Sequence, residues 1–137
     1  MNAKSEKVAE YIESKIKRIA ADAKWDREQL IARLGREDWL MVEGLDNAGR
    51  TVTSDIVARN LSAVLPAEAE TFEIADWVRE IEQVKAYNEK RLLGGYDIPD
   101  SMGGYQAAGR LALIKAQGEI VKLCSEWLDA LRGADNE

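Results

Sequence analysis

The chain has no histidine, one cysteine, two prolines and one phenylalanine among 137 residues. Without histidine there is no Cys–His or Ser–His pair to activate a nucleophile. With a single thiol as well, zinc and iron–sulfur sites of ordinary ligand type are excluded. Cys124 has no partner for a disulfide within the chain, which fits a reducing compartment. On the apolar stripe of the last helix it is expected to behave as a small hydrophobe. No apolar run approaches the roughly 20 residues needed to span a bilayer, and the opening MNAKSEKVAEYIESK lacks the apolar centre of a signal peptide. No membrane partner is expected, and the cytoplasm is the default address. The two prolines, Pro66 and Pro99, leave long stretches on either side free to be helical.

What is present is helical periodicity, most clearly in the C-terminal half. From Thr71 to Leu93, the residues Ile74, Trp77, Val78, Ile81, Val84, Tyr87 and Leu92 recur in steps that place them on one stripe of a helix. Thr71 is the expected N-cap. Glu73 and Asp76 suit the positive end of the helix dipole, and Lys90 and Arg91 the negative end. Gly94-Gly95 provides a C-terminal stop. A second helix is expected from about Gln106 to Arg132, with Leu111, Ile114, Ile120, Val121, Cys124, Trp127, Leu128 and Leu131 on its stripe. Gly109 and Gly118 fall inside it, each costing roughly 1 kcal/mol relative to alanine. Most simply they allow close helix approach or soften the helix locally; the alternative is a ligand or partner backbone passing nearby.

Upstream, Ser5 to about Ala23 reads as an amphipathic helix with Val8, Ile12, Ile16, Ile19 and Ala23 on one face and Tyr11 beside it. Asp26 is placed to cap a short second helix through Leu34, with Leu30, Ile31 and Leu34 inward and Gly35 as its stop. Trp25 and Leu30 would form a hydrophobic staple at its start. Residues 39–53 read either as a small β-hairpin turning at Asn47 to Gly49 or as a short helix, Asp38 capping it, followed by a loop. The helix-and-loop reading is preferred, because an isolated hairpin is marginal. Ile56, Val57, Leu61 and Val64 restore a helical pattern from Ser54 to Leu65, which Pro66 ends. The expected fold is an all-α helical bundle built on a long C-terminal helical hairpin (about 71–93 and 106–132) with shorter N-terminal helices. It is read as a single domain over 1–137, with 1–66 forming the N-terminal helices and 67–137 the hairpin.

The net charge is −6, which favours solubility and disfavours a generic polyanion binder. The charge is uneven: residues 1–36 hold nine Lys/Arg against six Asp/Glu, and 66–89 hold two against seven. DREQLIARLG (26–35) resembles the first helix of many helix-turn-helix units, and TSDIVARNLSAV (53–64) can be read the same way. On that reading Arg27, Arg33, Arg36, Arg50 and Arg59 would contact DNA phosphates. The segment that should follow as a recognition helix, REDWLMVEG, is acidic and poor in base-reading side chains.

Two further patterns bear on chemistry. Gly104 and Gly109, followed by Arg110, have the glycine spacing of a phosphate-binding loop, but no Lys-Ser/Thr pair follows and no strand precedes. Glu70-x-x-Glu73 and Glu126-x-x-Asp129 loosely resemble the acidic pairs of the all-α nucleotide pyrophosphohydrolases, which hold Mg²⁺ between facing helices. The resemblance implies a Mg-dependent enzyme as a minor alternative, on a gap of about 50 residues between the pairs, longer than that pattern has.

The leading expectation is a non-catalytic helical module, without cofactor or bound metal, that binds another protein or itself and acts as adaptor or inhibitor. Trp39, Met41, Tyr96 and Tyr105 are the expected contact residues, the two tyrosines being aromatics set in and beside the inter-helix turn. The alternative is a DNA-binding regulator or packaging-type protein, with residues 1–64 on DNA and the hairpin oligomerising.

Overall fold

The computed structural model describes residues 3–34, 41–68, 70–93 and 103–135; the side chains of 33, 34, 41–47, 93, 104–106 and 135 lie outside that description. Four helices follow one another: α1 (Ala3–Leu34), α2 (Met41–Ser62), α3 (Ile74–Leu93) and α4 (Gly104–Asp135). Among the described residues there is no strand. The fold is an all-α bundle containing the expected C-terminal helical hairpin, with longer N-terminal helices than expected.

α1 is one helix of 32 residues rather than two. No glycine or proline occurs between Ala3 and Leu34, so Asp26 has no chain break to cap and the helix reads through it. One continuous helix also fixes the phase of its last turns. Leu30 stays in line with the buried Ile12, Ile16 and Ala23, whereas Ile31 is rotated about 80° away and is 70% exposed. The inward placement of Ile31 and the staple geometry of Trp25 are both corrected; Trp25 is a mid-helix residue. Gly35 lies outside the described residues.

The 39–53 segment is neither hairpin nor short helix and loop: from Met41 onward it belongs to α2, which runs 22 residues to Ser62. Asn47 and Gly49 carry turn chemistry, but no proline interrupts them. The helix gains by burying Thr51, Val57, Ala58 and Leu61, and such packing outweighs a weak local preference. α2 ends before Leu65, in tightened turns where the Val64 and Leu65 amides donate to the Leu61 and Ser62 carbonyls, just ahead of Pro66.

α3 begins at Ile74, and its cap is not Thr71. The Glu73 amide donates to Asp76 Oδ2 at 2.9 Å, while the Glu73 carbonyl accepts from the amides of Asp76 and Trp77. This is the reciprocal half of a capping box. α4 starts with the Gly103 carbonyl accepting from the Ala107 amide.

The helices alternate in direction. Arg132 of α4 pairs with Glu82 of α3, while Cys124 feels Lys85 and Glu89, so residue numbers fall on α3 as they rise on α4. Arg27 of α1 reaches Asp55 of α2 at 2.6 Å. The seven chain steps from Leu34 to Met41 span at most about 25 Å, too little to carry α2 back alongside α1 in the same direction. The Thr53 hydroxyl donates to the Ala112 carbonyl at 3.1 Å and ties α2 to α4.

The core takes residues from all four helices: Ile12 and Ile16, Val57 and Leu61, Trp77 and Ile81, and Ile120, Cys124, Trp127, Leu128 and Leu131. Trp77 and Trp127 are each 4% exposed, and Phe72 meets Trp77 edge-on at 5.3 Å. Two expected stripe residues are corrected. Tyr87 is exposed, with the Arg91 guanidinium 4.7 Å above its ring, and Leu111 is half exposed. The stripe position one residue past Tyr87 is filled by Asn88. It is buried, and its amide nitrogen donates to Val84 O and to Asn60 Oδ1 of α2.

Candidate functional site: an open cleft between α1, α2 and α4

Where α1 ends and α2 and α4 are in their first halves, the bundle opens into a cleft of about 630 Å³. α1 contributes Trp25, Asp26, Gln29 and Leu30. Trp25 lies nearly opposite the Ile12–Ile16 stripe of its helix, so the core has no use for its indole, which remains 59% exposed. α2 contributes Gly49, Arg50, Thr51, Thr53 and Ser54. Apart from Arg50, these are small side chains. α4 contributes Ala108, Leu111, Ala112 and Lys115, with Leu111 48% exposed. Among the described residues α3 contributes none.

The lining is apolar at Trp25, Leu30 and Leu111 and carries both signs of charge, Asp26 against Arg50 and Lys115. Over residues 104–118, α4 has two cations, Arg110 and Lys115, and no acidic residue. Its second half, from Glu119 onward, carries both signs. Gly49 and Gly109 stand at this end with nothing within 4 Å of where a Cβ would sit, and the same holds for Gly118. Close approach between the chain's own helices therefore does not account for Gly109 or Gly118. Thr53 already donates to Ala112 O, and Arg50 and Thr51 are engaged within the protein, so the polar wall is held in place.

Of the residues expected to contact a partner, Trp39 and Tyr96 lie outside the described residues. Met41 and Tyr105 are placed by backbone alone, at the first residue of α2 and the second of α4, the two helix starts beyond the cleft. Trp25 flanks the expected short helix, where an indole can stand half exposed and anchor an interface, and it is 59% exposed. The exposure of Leu111, placed by its spacing on the core stripe, is not expected from the sequence. For Trp25 a signal existed: the stripe Ile12, Ile16, Ile19 and Ala23, continued in phase, leaves Trp25 out.

Of the five arginines of the DNA reading, Arg27 and Arg59 converge on one carboxylate, Asp55, at 2.6 and 2.8 Å. Arg50 lines the cleft. Arg33 is in α1 by its backbone, and Arg36 lies outside the described residues. Glu70 and Glu73 precede α3 while Glu126 and Asp129 lie on α4, and among the described residues no three His, Cys, Asp or Glu side chains gather to hold a metal ion.

Burial pushes the Cys124 thiol up to about 12, with Lys85 lowering it and Glu89 raising it by smaller amounts. At neutral pH the sulfur is a neutral, enclosed group with no nucleophilic character. No helix among the described residues is long and apolar enough to cross a membrane. Comparison with protein-family models, with curated proteins and with solved structures finds no match.

Proposed function

We propose that the chain is a non-catalytic helical interaction module of the cytoplasm, an adaptor or inhibitor that works by seating another protein chain in the cleft between α1, α2 and α4. One observation carries this reading: an indole and a leucine, Trp25 and Leu111, stand half exposed on opposite walls of a single cleft, in a molecule whose other two described tryptophans are buried. Aromatic anchors flanked by engaged polar groups are what a protein partner uses for most of its binding energy. The test is binding of the cellular partner by the full chain and by Leu111→Glu, with Tyr87→Ala as a surface control. Loss with the first and retention with the second is the expected outcome; equal retention in both removes the reading.

The DNA-binding alternative is supported by the basic excess of residues 1–36. It requires an affinity that falls steeply with salt and rises in Asp55→Asn, which releases Arg27 and Arg59 from their shared carboxylate. The Mg-dependent alternative requires nucleotide turnover that stops in EDTA.

A further inference from the structure

α1 presents a second surface on the side away from its core stripe. At about 100° per residue, Lys7, Tyr11, Ser14, Arg18, Ala21 and Trp25 fall within about 40° of one line along the helix, and each of them is exposed. Between Lys7 and Trp25 no acidic residue falls on that crest; Glu10 and Asp22 stand about 60° to either side of it. Tyr11 is 61% exposed and Trp25 59%, with the small Ser14 and Ala21 leaving room beside the rings. Lys17 is tied to Glu13 and Arg27 to Asp55. Lys7 and Arg18, by contrast, enter no ion pair or hydrogen bond among the described residues. Cation and aromatic thus alternate along the crest, with Tyr11 and Trp25 about 21 Å apart along the axis and Arg18 midway between them.

We infer that this crest binds single-stranded nucleic acid, Tyr11 and Trp25 each stacking on an unpaired base while Lys7 and Arg18 neutralise phosphates along the strand. The inference goes beyond the cleft reading and does not depend on it, since Leu111 and the rest of α4 take no part. It also uses none of the five arginines of the helix-turn-helix reading. Stacking platforms interleaved with cations are how proteins hold a single strand, because every base offers a face to a ring. A duplex keeps its bases paired and would leave both rings without a partner. An anionic membrane fits less well, because a helix lying in the interface buries its apolar face there, and the apolar face of α1, with Ile12, Ile16 and Ala23, is committed to the core. The net charge of −6 opposes any polyanion, but it is not spread evenly. The acidic stretch 66–89 belongs to α3 and the segment before it, and α1 packs mainly against α2 and α4. A strand on the crest therefore meets the local cations with the bundle between it and those acids.

The test is fluorescence anisotropy of a labelled oligodeoxythymidine of about 16 nucleotides, titrated with the full chain at several salt concentrations. The expected result is saturable binding whose logarithm falls with log salt at a slope of about −1.4, as two neutralised phosphates of a single strand require. Tyr11→Ala and Trp25→Ala should each weaken binding about fivefold to a hundredfold, with the helical circular dichroism unchanged. Lys7→Gln and Arg18→Gln should each flatten the slope by about 0.7, a readout that a misfolded variant does not reproduce. Leu111→Ala should leave the oligonucleotide affinity unchanged whatever it does to a protein partner, so the two readings fail separately. No binding at low salt, binding indifferent to both aromatic substitutions, or equal affinity for the annealed duplex overturns the inference. So does tighter binding to phosphatidylserine vesicles through the same four side chains, which would make the crest a membrane surface.

Discussion

Between Ile120 and Leu131, α4 buries Ile120, Cys124, Trp127, Leu128 and Leu131 in the common core; between Ala107 and Lys115 the same helix buries only Ala112 and leaves Leu111 half exposed. Both halves carry apolar residues at helical spacing. They differ in what lies opposite: the second half packs against α3. The first touches α2 at Ala112, where Thr53 donates to its carbonyl, and elsewhere borders the cleft that α1 and α2 also line. An amphipathic stripe thus states that something covers it without stating that the cover belongs to the same chain. The largest effect that sharpens this contrast is a pair of truncations. Trp127→Ala should cost about 3–5 kcal/mol by emptying an enclosed site, enough to unfold most of a marginally stable domain. Leu111→Ala in the monomer should cost under about 1 kcal/mol. Urea midpoints of the two variants at low protein concentration provide the check, and similar losses would mean that the two halves are not different.

A second contrast lies inside the closed half, between its apolar core and the amide pair of the buried Asn88 with the partly buried Asn60. Asn88 donates to Asn60 Oδ1 and to Val84 O, and Asn60 donates in turn to Ile56 O. This chain of hydrogen bonds ties α3 to α2 and favours one register between them. Asn88→Ala removes the donor and leaves the Asn60 oxygen without it, at a cost of about 1–3 kcal/mol. Adding Asn60→Ala should cost less than the two single losses combined. Strict additivity in urea denaturation would show that the pair is not coupled.

The long helices were legible because length and periodicity reinforce each other there. α3 and α4 were placed within a few residues of their observed ends, and Trp77 and Trp127 were correctly assigned to the core. The N-terminal half was misdivided for one physical reason. Local punctuation at Asp26, Asn47 and Gly49 carries at most about 1 kcal/mol each, and the burial of Ile16 and Ala23 on α1 and of Val57 and Leu61 on α2 exceeds it. The cleft was not legible because it is a property of three helices at once. Periodicity sorts residues into stripe and surface, and Leu111 belongs to the stripe by that criterion. The staple expected of Trp25 is one that a continuous α1 does not need, whereas its half-exposed indole follows from its place off the core stripe.

The thiol of Cys124 tests how tightly the closed half is sealed. Its pKa rises from 9.0 to about 12 on folding. The neutral form therefore favours the folded state fully below pH 9, and that contribution is lost as pH rises from 9 towards 12, where only the unfolded chain has ionised. From pH 8 to pH 10 the linked loss is about 1.4 kcal/mol. Cys124→Val, which cannot titrate, should lose about that much less stability over the same interval. In the native protein at pH 8 the thiol should also resist alkylation until the chain unfolds. Rapid labelling of the folded protein would show that the closed half opens locally.

The smallest expected effect returns to the two glycines inside α4. Neither Gly109 nor Gly118 has anything within 4 Å of its Cβ position, so within one chain an added methyl group meets no obstacle. Alanine at either site should then stabilise the helix, by about 0.5–1 kcal/mol, chiefly by restricting the unfolded chain. The two sites part company once a protein partner occupies the cleft. Gly118 sits where α4 enters the closed core and should give its gain with or without the partner. Gly109 stands at the open end, where a closely approaching partner would meet the methyl group. Its gain should shrink when the partner is bound. Thermal unfolding of both variants with and without the partner reads the difference directly, and a Gly109→Ala gain indifferent to the partner would place its approach away from that stretch of α4.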